Sequence, residues 1–283
     1  MQNNRLYFFF ILIASVIANN ALAHGQASER LHALDHHIEQ TPKDASLYVK
    51  RGRIYRDAQQ FTQALEDYDT ALKLSPKSSE ALYWQADTYF LQKDYDKTLA
   101  SVTKYLTIKP KSPEGHYLLA KAYVKLGLAV KAEKHFSSAI QYNDNPPPQW
   151  YLDRGNAQLA VRPLSLERIE SGIKEGIDKH GEIVSFISFL IRINKSAKNY
   201  SAALSWIKHL PVQLIGTPHW KNEHAEILAL SGRTREAISL YRSVMTQIAT
   251  YSNKKRNLPA FVEENEKARK NISRLESLSV QTH

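Results

Sequence analysis

The feature that most constrains this 283-residue chain is its self-similarity at a period of 34 residues. Pro42, Pro76 and Pro110 fall 34 apart, and the same shift carries Gly52 onto Ala86 and Ala120, all small. Tyr55 moves onto Tyr89 and Tyr123, Ala64 onto Thr98 and Ala132, and Leu72 onto Leu106 and Ile140. A fixed period of this length marks stacked supersecondary units, none of which can bury its apolar face alone. Within the first unit, Tyr48, Arg51, Gly52 and Tyr55 have the i, i+3, i+4, i+7 spacing that shares one helix face. Ala64, Leu65, Tyr68, Ala71 and Leu72 repeat that periodicity after the turn at Asp57–Gln60. Pro76 then stops the second helix, because proline has no N–H to continue the ladder. Gly52 is expected to let the second helix approach closely.

Large, small and aromatic residues on a first helix, then Ala, aromatic, Ala and a closing Pro on a second, resemble the tetratricopeptide repeat (TPR) family. The segment ALEDYDTALKLSP, Ala64 to Pro76, carries the likeness most closely. The resemblance implies an all-α fold, a right-handed α-α superhelix (solenoid) of stacked helical hairpins. Unit starts are expected near residues 45, 79, 113, 148, 184 and 218. The first three match best. In the fourth, Tyr151 and Gly155 echo Tyr48 and Gly52, SLERIESGI (Ser165 to Ile173) echoes ALEDYDTAL, and the intervening turn is two residues shorter. In the fifth, Tyr200, Ala203 and Leu204 echo Phe61, Ala64 and Leu65, and the sixth carries Ala225, Leu228, Ala237, Tyr241 and Val244. The even spacing predicts one continuous array over 45–258, with a capping helix at 24–44 (Leu31, Leu34, Ile38) and another at 259–283 (Phe261, Ala268, Ile272, Leu275, Leu278). All eleven prolines fall at predicted junctions, and the run Asn143–Pro148 is the expected rigid bend. Lys254-Lys255-Arg256 reads as a solvated linker.

The N-terminus reads as a leader. Arg5 precedes an apolar run from Leu6 to Ala18, and Ala21-Leu22-Ala23 has the form of a cleavage site. Thirteen residues suit the core of a signal peptide and are too few for a transmembrane helix. Residues 1–23 are therefore expected to be a signal peptide cut after Ala23, and the mature chain to be periplasmic or secreted without stable membrane insertion. The chain has no cysteine, so disulfides, thiol nucleophiles, zinc-thiolate sites and a lipidated N-terminal Cys are all excluded. Its formal charge is +10, and export directs that charge towards acidic proteins, anionic polymers or lipid rather than nucleic acid.

No phosphate loop, nucleophile elbow, H-E-x-x-H or paired-carboxylate motif is present, so no catalytic residue, metal site or cofactor is assigned. His32, His36 and His37, with His24, have metal-like spacing but no further ligand at a fixed offset, so a polar helix face is the plainer reading. His219, Glu223 and His224 read as a solvated and partly buried helix face, and His116 falls in an apolar packing slot by register. Trp84, Trp150, Trp206 and Trp220 read chiefly as interhelical core.

The TPR resemblance places first helices along a concave groove. By register the groove candidates are Arg53 and Arg56, then Tyr83, Asp87 and Phe90, then Tyr117, Lys121 and Lys125, followed by Asn156, Arg192 and Lys195. Aromatic contacts with excess positive charge suit an extended partner segment with acidic groups. The Lys/Asn carboxylate clamp of some TPR proteins is not reproduced, since Val49 and Arg53 stand at its positions. From Ile183 to Asn222 there are five cations (Arg192, Lys195, Lys198, Lys208, Lys221) and no acid, an alternative anion-binding region. The leading expectation is a non-catalytic scaffold that binds a protein or peptide. Binding of an anionic envelope polymer or lipid through 192–221 is the alternative, and metal binding by the N-terminal histidines the third.

Overall fold

The computed structural model describes residues 28–281, so the expected leader and cleavage site lie outside the described residues. These residues form helices and connecting turns, with no strand among them. Helix α1 occupies residues 28–40. Three hairpins follow: α2 (Ala45–Asp57) with α3 (Phe61–Leu74), α4 (Ser79–Leu91) with α5 (Tyr95–Ile108), and α6 (Pro113–Lys125) with α7 (Ala129–Gln141). Beyond the proline run come α8 (Pro148–Leu159) with α9 (Leu166–His180), and α10 (Val184–Ser196) with α11 (Tyr200–Ile207). The one-turn helix α12 (Val212–Ile215) leads into α13 (Pro218–Leu230) and α14 (Thr234–Ala249). Finally α15 (Asn253–Arg256) precedes α16 (Pro259–Gln281).

The helix starts follow from local chemistry. Asp44, Ser78, Asp94, Ser112, Ser165 and Asn199 each turn a side-chain oxygen onto an N–H of the first turn of α2, α4, α5, α6, α9 and α11. That satisfies donors with no intrahelical partner. Pro113, Pro148 and Pro218 sit at the first helical turn, where a missing N–H costs nothing. Each hairpin turn but the fourth holds one residue in the left-handed region: Gln59, Lys93, Gly127, Lys198 and Gly232. The fourth turn has none, and it is longer rather than two residues shorter as the sequence suggested: residues 160–165 separate α8 from α9, against 58–60 between α2 and α3, so Ser165 caps α9 and Ile169 and Ile173 take the buried positions.

Packing repeats as well. An added Cβ on Gly52 would lie 2.7 Å from the Tyr68 ring and 3.1 Å from the Ala64 carbonyl, so glycine is what lets α3 cross α2 this closely. Tyr68, Ala64 and Ala71 are fully buried there with Val49. In the neighbouring slot, Arg51 joins Asp35 of α1 (2.7 Å) to Asp67 of α3 (2.6 and 2.9 Å). Thirty-four residues on, Gln85 occupies the same slot, donating to Asp69 (2.7 Å) and accepting from Ser101 (2.8 Å).

The residues gather into two compact units that change over between Pro146 and Pro147. The change from one unit to the other falls at the proline run, whose residues have no N–H to carry a helix through. Two smaller expectations also change. Leu278 of α16 is 53% exposed, although Ala268 and Leu275 on the same helix are buried. Lys254–Arg256, read as a linker, lies in the helical turn α15, where Lys255 sits 3.9 Å from the centre of the Tyr251 ring.

Candidate functional site

In the first unit α2 lies against α4, and α4 against α6. The register candidates on these helices accordingly meet across hairpins. Arg53 and Arg56 of α2 both reach over Trp84 of α4, at 4.5 and 4.9 Å from the ring centre. Arg56 also pairs with Asp87, and Arg53 approaches Glu80 at 3.5 Å. One helix further, Lys121 of α6 lies 4.7 Å from the centre of Phe90 and 5.2 Å from that of Tyr117. Tyr83 packs edge-on to Trp84 and tilts against Tyr105, and burial pushes its hydroxyl up to about 12, so it stays a neutral donor. Lys125 is exposed at the end of α6.

The result is a ladder of cations seated on aromatic faces, an arrangement in which each ring's electron-rich face holds a charge that stays partly accessible. Arg53 remains 46% exposed at its side chain. The face is less positive than its composition suggested, because Asp87 and Glu80 answer two of its cations. Trp84 packs against the core of Val49, Tyr68 and Ala81, as expected of an interhelical residue, and also lies half-buried beneath the two arginines.

The remaining candidates belong to the second unit and are engaged there. Arg192 donates to Asn156 (3.2 Å) and covers the Phe189 ring. Lys195 is drawn to Glu223 (2.8 Å) and Glu226 (3.4 Å), which Lys267 of α16 also contacts at 2.8 and 3.2 Å. Burial opposes ionisation of Glu223, and the two ammonium groups outweigh it, holding its carboxyl below the ordinary glutamate range. Lys221 donates to Ser243 and Gln247. Three of the five cations between 183 and 222 therefore have partners within the unit, and the stretch is not a uniform basic patch.

Several histidines find structural partners. His116 was expected in an apolar slot, yet its Nε2 lies 3.0 Å from the Pro110 carbonyl and its Nδ1 3.0 Å from Nδ1 of His135. Tyr48 makes the matching bond to Pro42 (3.0 Å) 68 residues earlier, so His116 replaces a tyrosine as the donor that fastens the preceding loop. Because a carbonyl only accepts, Nε2 of His116 carries the proton, and in the neutral pair Nδ1 of His116 accepts from His135. His219 pairs with Glu264 (2.8 Å), and His36 contacts Gln40 (3.0 Å). No group of three or more potential metal ligands occurs among the described residues. No helix among them is long and apolar enough to cross a membrane.

Comparison with known proteins agrees with this architecture. The family model of anaphase-promoting complex, cyclosome, subunit 3 matches residues 57–139. Anaphase-promoting complex subunit 3 of Schizosaccharomyces pombe is 30% identical over 145 residues, 51% of this chain, and the match spans 20% of that protein's length. Among solved structures, YrrB, a TPR protein with an unusual peptide-binding site, is similar with a TM-score of 0.54 at 20% identity, over 62% of this chain and 90% of its own. A tetratricopeptide repeat protein from Parabacteroides merdae matches with a TM-score of 0.53 at 15% identity, over 88% of this chain and 94% of its own. The repeat pattern and the fold of this chain are those of tetratricopeptide repeat proteins.

Proposed function

We propose that this protein is a non-catalytic scaffold, exported in its native host, and that the first-helix face of its first three hairpins holds an extended, acidic segment of a protein partner. The observation that carries the proposal is the ladder of Arg53 and Arg56 over Trp84 and of Lys121 over Phe90 and Tyr117. Carboxylates of an extended segment would meet the cations, and its apolar side chains the ring edges between them. The peptide-binding site of YrrB, which shares the fold, is consistent with this use of the scaffold. Export rests on the leader-like sequence of residues 1–23. The array of six repeats over 45–258, with a capping helix at each end, is part of the same proposal.

The test is selection of peptides from a random displayed library by the full mature chain. Enriched peptides should be rich in Asp and Glu, and binding should fall at least about tenfold, some 1.4 kcal/mol, in an Arg53→Glu/Lys121→Glu variant. Enrichment of neutral or basic peptides, or binding indifferent to the charge reversal, would overturn the assignment of this face. Export is checked separately by N-terminal sequencing of the protein from its host, with His24 as the expected first residue.

A further inference from the structure

A second site lies on the other helices of the second unit. Between α11, α13 and α14 there is an open cleft of about 780 Å³. Ser201 and Ser205 of α11 and Ser239 and Ser243 of α14 line it, at i, i+4 spacing on each helix. Leu204, Leu228 and Leu240 contribute its apolar lining, and Lys208, His224, Arg233 and Glu236 complete it.

Repeat register explains why a cleft opens here. Ser205 and Ser239 stand where the first hairpin has Glu66 and the third has Lys134, so short hydroxyls replace long charged side chains. Helix α11 is also only 8 residues long, against 14 for α3 and α5.

Register also shows what the cleft lacks. His224 occupies the slot of Arg51 and Gln85. In the first two hairpins that slot is furnished with carboxylates: Asp35 and Asp67 bind Arg51, and Asp69 binds Gln85, whereas the third and fifth hairpins place Leu119 and Leu190 there. Around His224 the counterpart of Asp69 is Lys208, at the end of the preceding hairpin, and that of Asp67 is Leu240. A polar slot that receives an acid from its own chain in the first two hairpins here faces a cation and a leucine. Among the described residues, nothing hydrogen-bonds the His224 ring. Arg233 is held by Glu236 (2.6 and 2.7 Å), the one acid in the cleft. We propose that this cleft binds a small oxyanion, a phosphate or carboxylate group of a low-molecular-weight ligand, whose charged oxygens take the place of the absent Asp69-type carboxylate between His224, Lys208 and Arg233. Serine hydroxyls on the two facing helices supply further hydrogen bonds to it. The lining has no tryptophan, tyrosine or phenylalanine ring on which a nucleobase could stack.

The charged groups facing His224 are Lys208 at the end of α11 and Arg233 and Glu236 at the start of α14. Burial first, and then the two cations, push the imidazole below its ordinary range, with Glu236 opposing them. An anion seated among these groups favours the protonated ring. By linkage, protonation then strengthens anion binding to the same degree.

The experiment follows the His224 ring resonances of the full mature chain by NMR while inorganic phosphate is added at constant ionic strength, with chloride as the reference salt. Saturable phosphate-specific shifts are expected, with a His224 pKa raised by phosphate. Lys208→Ala/Arg233→Ala should weaken binding at least about tenfold. Ser205→Glu, which restores at this exposed position the acid of Glu66, should abolish it while the circular dichroism spectrum is retained. A parallel titration with acetate separates carboxylate from phosphoryl recognition. Vesicles of anionic phospholipid test whether a phosphate presented as a lipid headgroup also reaches the cleft. Shifts no larger than chloride gives, or binding unaltered in both variants, would overturn the proposal.

Discussion

Glu223 is the residue on which the second unit's electrostatics turn, and Glu223→Gln tests that directly. The carboxylate joins Lys195 of α10 to Lys267 of α16, both at 2.8 Å, and its side chain is only 19% exposed. Removing one partner of a fully buried ion pair costs about 3–5 kcal/mol. An exposed pair is worth about 0–1 kcal/mol. Glu223 is mostly buried, but Glu226 stays within reach of both ammonium groups at 3.4 and 3.2 Å, so an intermediate loss of about 2 kcal/mol is expected. The readout is hydrogen–deuterium exchange by mass spectrometry. Amides of α13 and α16 that exchange through opening of the second unit should exchange about 30-fold faster, since each 1.36 kcal/mol is a factor of ten. Peptides from α2–α7 should be unaffected. A double-mutant cycle with Lys267→Met should return a coupling of about 1 kcal/mol. The sign of the pH dependence is also fixed. Because the carboxyl is held below the ordinary range in the folded state, its contribution is present above the unfolded pKa and is lost as pH falls through the folded value. A change below about 0.5 kcal/mol, the usual size of a surface substitution, would refute the hub.

Two further outcomes follow from the first unit. Burial, then His116 and Lys134, lower the His135 pKa to about 4, so the stability this neutral imidazole contributes is intact above its unfolded pKa of about 6.5 and drains away as pH drops towards 4. Denaturation midpoints taken from pH 7 to 4 should show that slope, and His135→Gln should flatten it; an unchanged slope would place the acid sensitivity elsewhere. Gly52→Ala sets the clash with the buried Tyr68 ring and the Ala64 carbonyl, about 1–3 kcal/mol for overpacking, against a helix-propensity gain of about 1. A net loss of about 1 kcal/mol in chemical denaturation is expected, and a stabilised variant would show that α3 can shift away at no cost.

The sequence determined the hairpins because their signals are local and repeated. Prolines at junctions, Ser and Asp caps, and small residues at crossings act within one or two turns, and α2, α4, α6, α8, α10 and α13 begin at Ala45, Ser79, Pro113, Pro148, Val184 and Pro218. Register likewise brings residues of neighbouring first helices together, Arg53 and Arg56 at Trp84 and Lys121 at Phe90, since those helices are related by the repeat itself. What register cannot supply is the partner of a charge. Glu223 meets Lys267 44 residues away, Asn222 meets Glu264 42 away, and Arg56 meets Asp87 31 away. Those pairings depend on side-chain reach and on which neighbours desolvate them, and they decided which cations remain accessible. Tertiary structure decided the division at Pro146–Pro147 too, although the spacing of helix starts hardly changes there. It also showed that serines unremarkable in sequence, at 201, 205, 239 and 243, face one another across an open cleft. A short polar side chain carries no periodic signal of its own, and only its position against a neighbouring helix turns it into the wall of a site.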